Sequence, residues 1–305
     1  MPSYPDPRAT RRTGQAPAQP RRRKKRRRRL PVPGIVLILF LVGGALFLRG
    51  RFVQSHSPSP YTSPPASHSE QGEAEALGDG LQTQLQKLAR EEPRARDILS
   101  HLEDYPQELL ELAVRNPETV CFVADYPQEK DRAPAETVEE AERGTIPLLL
   151  QWDPRWGYAQ YGDGPMALNG CGPTALSMVI CGLTGDGTAT PYTVAQYAQE
   201  MGYYVDGVGT SWELMSAGGA HFGVTARELP LSQPVMENAL AAGEPIICSV
   251  GPGDFTTSGH FIVLSGLEDG QFQVRDPNRR STSEKLWDYD TLAGQITNLW
   301  AFSVA

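Results

Sequence analysis

Histidine and cysteine are scarce in this chain, five and four among 305 residues. The cysteines are Cys121, Cys171, Cys181 and Cys248; none forms a CxxC pair, and no cluster with the histidines has zinc-ligand spacing. No metal or cofactor is therefore expected. A disulfide framework is excluded on the same count. Cys171 and Cys181 lie ten positions apart on what reads as one helix, so their Cα atoms would be roughly 15 Å apart, too far to bridge. Basic residues are also missing from most of the chain. The first 51 residues hold 14 of the 28 Lys and Arg and one of the 36 acids, so everything after them is strongly acidic. That part has no basic face suited to phosphate, which sets nucleic acid aside as its partner.

The basic residues that are present stand in one place. Residues 21–29 are all Arg or Lys, and 30–48 carry no charge. Nineteen helical residues span roughly 28 Å, close to the hydrocarbon thickness of a bilayer. The pattern reads as a cytoplasmic basic tail (1–29) and an uncleaved signal anchor (30–50), with the lipid bilayer as partner through 30–48. The basic flank puts the N-terminus inside and the remainder outside the cell membrane. A cleaved signal peptide fits less well, because the basic stretch is far longer than an ordinary n-region.

Beyond the anchor, 51–78 are rich in Ser, Pro, Gly and Glu and read as a flexible linker. Residues 79–130 read as short helices. Leu81, Leu85 and Leu88 keep helical spacing, as do Ile98, Leu102, Leu109 and Leu112, and Pro93, Pro106 and Pro117 stand where helices begin. DYPQE occurs at 104–108 and again at 125–129; two copies are too few for a solenoid and suggest a small helical array. Its role is open between a spacer, a partner-binding module and a propeptide. Residues 131–144 are polar and acidic, a second linker. From 145 to 305 aromatics, glycines and apolar runs become dense, as in one domain of ordinary size.

The chemistry concentrates in NGCGPTALSMVICGL, residues 169–183. Pro173 marks a helix start, so Cys171 sits at the helix N-terminus, where the dipole and free N–H groups stabilise a thiolate. Gly170 and Gly172 would let a substrate backbone approach. Cys181 at the far end and Cys248 inside PIICSV read as small buried hydrophobes. A thiolate needs a base. His56, His68 and His101 lie outside the domain, and His221 has no acidic neighbour in sequence. His260 opens the strand HFIVLSG, which a turn near LEDG joins to QFQVRD. Folding that hairpin about 268–269 pairs residue 260 near 277 and brings Asp276 beside His260. A carboxylate that orients an imidazole completes a Cys–His nucleophile.

QWDPRW (151–156), GCGPTALSMV (170–179), GHFIVLSG (259–266) and VRDPN (274–278) resemble, in order and content, the signature blocks of cysteine peptidase family 39-like domains. These are bacterial relatives of the bacteriocin-leader peptidases within the papain-like clan. The resemblance spans about 146–305. It implies a papain-like α+β domain, a peptide or protein substrate, Cys171 as nucleophile, His260 as base and Asp276 as orienter. It also implies a Gln ahead of the Cys as oxyanion-hole donor. Gln151 is that candidate, but twenty positions separate it from Cys171 where the family has six, so GYAQYGDGPMAL must loop out; Asn169 is the fallback. Leader processing is not implied, since the chain has no Walker-type motif and its domain is expected to face outward.

The expected architecture is a Cys-bearing helix packed on an antiparallel sheet of 245–250, 260–266, 271–276 and 298–304, and the expected function is hydrolysis of peptide bonds outside the membrane. Two rivals stand beside it: transglutaminase or cell-wall amidase chemistry on the same scaffold, and a non-catalytic peptide-binding module. Two further loops read as ordinary turn chemistry and, if they serve the site, would line substrate subsites by backbone contact. GVGTSWELM (207–215) carries a capping box from Thr210 to Glu213, and the Gly-rich GPGDFTTSG (251–259) leads into His260.

Overall fold

The computed structural model describes residues 70–305; the basic tail, the apolar span at 30–48 and most of the first linker lie outside the described residues. Among the described residues no helix is long and apolar enough to cross a membrane. Prolines set where the first helices start. The helices are α1 (Glu70–Glu91), α2 (Arg94–Ser100), α3 (Gln107–Arg115) and α4 (Val120–Glu129). Pro93 and Pro106 stand at the N-caps of α2 and α3, and Pro117 opens the 3-10 turn ahead of α4, where a missing N–H costs no helical hydrogen bond. The two DYPQE copies diverge: the first leads into α3, whereas the second lies inside α4 with Pro127 in the helix. α1 begins within the stretch read as linker, whose Glu and Ala are good helix formers. The core of these helices, with Leu85, Ile98, Leu109 and Phe122, continues into Leu150, Trp152, Tyr158 and Ala167. The described residues accordingly belong to one compact unit. Residues 131–144 join in, with Val138 buried and Glu140 paired to Arg155 at 2.8 Å.

The stretch between Gln151 and Cys171 folds rather than hanging loose. β1 (Gln160–Tyr161) and β2 (Gly164–Pro165) form a short hairpin and α5 (Met166–Asn169) follows, with Tyr158, Tyr161, Met166 and Ala167 all buried. α6 (Cys171–Thr184) comes next, as the sequence predicts. It is buried from Gly172 to Gly182 and ends at Gly185 in the left-handed conformation, φ 76°. α7 (Pro191–Glu200) packs beside it. A second small hairpin, β3 (Tyr204–Val205) and β4 (Gly209–Thr210), then leads to α8 (Glu213–Ser216). The capping box is not formed. Ser211 Oγ accepts from the Glu213 N–H, and the Thr210 hydroxyl bonds Tyr161 instead.

The remaining elements are β5 (Val224–Glu228), α9 (Gln233–Ala241), β6 (Ile246–Val250), β7 (His260–Glu268), β8 (Gln271–Arg275), α10 (Arg280–Ser283), β9 (Leu286–Trp287), α11 (Tyr289–Ala293) and β10 (Ile296–Val304). Their strands make one antiparallel sheet in the order β5-β10-β6-β7-β8-β9. The four expected strands are all there. β5 and β9 are additional edge strands: β5 alternates only over residues 224–227 and is mostly exposed, and β9 is two residues long, so the signal in each is short. β6 is buried at every position because both faces are covered. Phe261, Val263, Trp300 and Phe302 pack with α6 and α7. Ile262, Leu264, Val274 and Leu299 pack with Met236 of α9 and Leu292 of α11. The sheet is thus a middle layer.

The β7–β8 hairpin turns at Asp269 and Gly270, φ 51° and 77°, the left-handed pair of a tight hairpin turn, one residue later than the sequence reading places it. Next to the turn Gly266 pairs with Gln273, yet further on Leu264 pairs with Val274. Ser265 is therefore an extra residue on β7, a bulge. Without it Asp276 would stand opposite Val263, whose side chain lies on the face away from His260. With it Asp276 falls opposite Ile262, on the face that His260 shares. The pairing of 260 with 277 is replaced by this diagonal relation.

Candidate active site

Cys171 is the first residue of α6. The first ladder bond nearby runs from Thr174 N–H to Gly170 O at 2.9 Å. The N–H groups of Cys171 and Gly172 thus precede the ladder, and Pro173 has none to offer. The flanking glycines have packing reasons. A Cβ on Gly170 would come within 2.5 Å of the Met166 carbonyl, and one on Gly172 within 2.8 Å of the Thr210 side chain. Thr210 is held there by Tyr161, hydroxyl to hydroxyl at 2.9 Å. Close approach of protein to protein, rather than of substrate, accounts for both.

His260 opens β7 and is buried, as is Asp276, which has no exposed surface. The imidazole Nε2 lies 2.8 Å from Asp276 Oδ1. Asp276 also accepts from the Asn278 N–H at 2.8 Å and from the Thr282 hydroxyl at 2.6 Å, and its own N–H donates to Ser283 Oγ at 2.8 Å. Burial alone pulls the imidazole down. The charge and hydrogen bond of Asp276, and then the hydrogen bond and charge of Cys171, outweigh burial and push His260 up to about 10. Burial likewise pushes the Asp276 carboxyl up, but the His260 charge and the donors around it hold it below its ordinary value. Cys171 and Asp276 thus act on His260 together. With Nε2 facing the carboxylate, Nδ1 is the nitrogen left for the thiol. A thiol, an imidazole and a carboxylate in this order can move the thiol proton to the ring and hold the resulting imidazolium.

Gln151 is buried, but its amide is engaged. Nε2 donates to the carbonyls of Ala167 at 2.7 Å and Leu168 at 3.3 Å, while Oε1 is buried with no partner among the described residues. The folded insertion has brought Gln151 back against the turn before Cys171, across the gap of twenty positions. The Asn169 amide is also engaged, donating to Tyr161 O at 3.0 Å and Asp163 Oδ1 at 2.9 Å. Thr282 and Ser283, which hold Asp276, were missed by sequence reasoning: they sit in a polar stretch, RSTS, with no spacing that ties them to a carboxylate six residues earlier. His221 stacks on Tyr197 with ring centroids 4.2 Å apart. The Gly-rich loop before His260 is fastened by Phe255, packed on Trp287 at 4.5 Å, and by Gln295, which accepts from the Asp254 N–H at 2.6 Å.

The four thiols differ in setting. Cys121 is exposed, Cys171 half-buried, and Cys181 and Cys248 buried. Burial pushes Cys181 up to about 11 and Cys248 higher still. With iodoacetamide at neutral pH, Cys171 should alkylate first because His260 can take its proton, Cys121 second by exposure, and the other two after unfolding. Peptide mapping by mass spectrometry gives the order; equal rates for Cys171 and Cys121 would mean that His260 does not activate the thiol.

Residues 145–303 match a family model described as the Peptidase_C39 like family. No curated protein matches. Among solved structures, the peptidase domain of Streptococcus ComA, a bi-functional ABC transporter involved in a quorum sensing pathway, is 18% identical; the match covers 45% of this chain and 91% of that one, with a TM-score of 0.34. A C39-like peptidase from Bacillus anthracis is 17% identical over 54% of this chain and 98% of that one, with a TM-score of 0.32.

Proposed function

Because the chain belongs to the Peptidase_C39 like family, we propose that it is a cysteine peptidase hydrolysing peptide bonds outside the membrane, with Cys171 as nucleophile, His260 as general base and Asp276 as orienting carboxylate. The observation that carries this reading is the His260 side chain, acted on by Cys171 and bonded through Nε2 to Asp276. The Asp276 bond fixes the tautomer, so Nδ1 takes the thiol proton. The sulfur attacks the substrate carbonyl carbon, and the Cys171 N–H at the start of α6 faces the developing oxyanion. The imidazolium then protonates the leaving amine. His260 next takes a proton from water, whose oxygen releases the acyl group and restores the thiol.

An irreversible electrophilic peptide tests the reading. It should label Cys171 and no other cysteine, and the unlabelled protein should release free amine from peptide substrates. Labelling without amine release on any peptide would leave a binding module, and incorporation of an added amine would indicate transfer rather than hydrolysis.

The outward orientation rests on residues 21–48 of the sequence. Protease added to intact cells should cut in the Ser/Pro-rich stretch after residue 51 and release the folded domain. Full protection of the domain in intact cells, with digestion after lysis, would place it on the inner side.

A further inference from the structure

Helices α1–α4 have no part in the reaction scheme, yet their polar edge is bonded to the loop that follows Asp276. Asn116, itself buried, donates from Nδ2 to the Asn278 carbonyl at 2.7 Å, and Trp152 Nε1 donates to the same oxygen at 2.7 Å. The Arg279 guanidinium donates to the Arg115 carbonyl at 3.0 Å. The Glu118 carboxylate accepts from the Arg280 N–H at 2.8 Å, the Ser281 N–H at 3.1 Å and the Ser281 hydroxyl at 2.7 Å. Residues 278–281 are thus each bonded to the segment Arg115–Glu118. The same loop supplies the partners of Asp276: the Asn278 N–H, the Thr282 hydroxyl and the Ser283 oxygen. A carboxylate with no exposed surface can be aimed only through the groups that bond it, and these groups are set by the loop. A spacer has no need of this: it would touch the domain where its chain enters, not over four consecutive residues beyond Asp276.

We propose that α1–α4 form a built-in positioning module for the site, in which Asn116 and Glu118 fix the 277–283 loop and thereby aim Asp276 at His260. This rests on the reading of Asp276 as the orienting carboxylate. Neither Asn116 nor Glu118 touches the reacting atoms; both act through the loop. Burial pushes the Glu118 carboxyl up, but its bonds to Arg280 and Ser281 outweigh that and keep it below its ordinary value, so it holds the loop as an anion.

The test uses the full chain with Asn116→Asp, Glu118→Gln and, as a control, Glu111→Gln. Asn116→Asp keeps an acceptor for the Glu118 N–H that caps the 3-10 turn but loses the donor to Asn278. Glu111 pairs with Arg115 in the same helix and does not bond the loop. Two readouts are taken below the melting range of every variant: kcat and KM on a peptide, and the titration of the His260 imidazole by NMR. Burial, Asp276 and Cys171 set the His260 titration. Asn116→Asp adds a negative charge and Glu118→Gln removes one, with opposite direct effects on an imidazole, so a downward move in both variants reports a moved Asp276 rather than the altered charge. Each of the two loop variants should lower kcat about tenfold, and the pair together on the order of a hundredfold, the scale of a small misplacement of a catalytic group. KM should stay near wild type, the His260 titration should move down, and Glu111→Gln should change neither. A purely structural role would lower Tm but leave the folded protein's kcat and titration in place, and that result would overturn the proposal. Asp276→Asn separates the two levels. If it too leaves both readouts unchanged, the orienting role of Asp276 fails, and this inference with it. If Asp276→Asn moves them and the loop variants do not, the positioning role alone fails.

Discussion

Cys171→Ala should lower turnover by at least about a thousandfold, the loss expected when the proposed nucleophile is deleted and only binding and oxyanion contacts remain. The substitution removes one half-buried sulfur at the first position of α6 and no hydrogen bond of the helix ladder, so Tm should change little. The His260 titration should also respond, because the bond and charge of Cys171 are among the effects that raise it. Amine release measured against wild type checks the prediction. Retained turnover would move the nucleophile elsewhere, and Cys121, the exposed thiol, would be the next to replace.

Asp276→Ala should lower kcat on the order of a hundredfold or more, the effect of losing the group that holds a catalytic imidazole in one tautomer. Asn278→Ala should cost far less. Asn278 serves Asp276 through its backbone N–H and the helices through its backbone carbonyl, and alanine retains both. Its side-chain oxygen makes only a 3.4 Å contact with Asn116. Asp276→Ala leaves the Asn278 N–H without its acceptor and the Thr282 hydroxyl with only the Arg279 carbonyl at 3.0 Å, so its fold must be verified by thermal melting before rates are compared. Asp276→Asn preserves the shape and should fall between the two. If Asn278→Ala is the dead variant and Asp276→Ala is active, the third residue must be reassigned.

The same pair gives a pH signature. His260 is raised in the folded state, so its contribution to stability is complete below its ordinary value of 6.5 and is lost as pH rises toward about 10. Asp276 is lowered, so its contribution is present above its ordinary value of 3.8 and is lost as pH falls below that. Denaturant melts across this range should show the wild type losing stability on the alkaline side, and Asp276→Asn should flatten that limb.

Sequence alone determined the elements whose signal is local. Pro173 after Cys171 and the apolar residues behind it specify α6, because helix starts and buried faces are written in neighbouring residues. The apolar run in HFIVLSG and the alternation in QFQVRD specify β7 and β8 for the same reason, and the hairpin between them brings Asp276 near His260. What the tertiary structure decided are the features that depend on residues far apart in the chain. The Ser265 bulge, which puts Asp276 on the face of His260, has no residue pattern of its own; it is fixed by which side chains the two sheet faces can bury. Gln151 reaches the turn before Cys171 only because the insertion folds back over Tyr158, Tyr161 and Met166. The helices that read as a possible spacer share their core with Leu150 and Trp152 and, across more than 160 positions, bond the loop beyond Asp276. Local propensity acts over a few residues, whereas burial and hydrogen-bond satisfaction act on whatever the folded chain brings together, and the setting of this site is of the second kind.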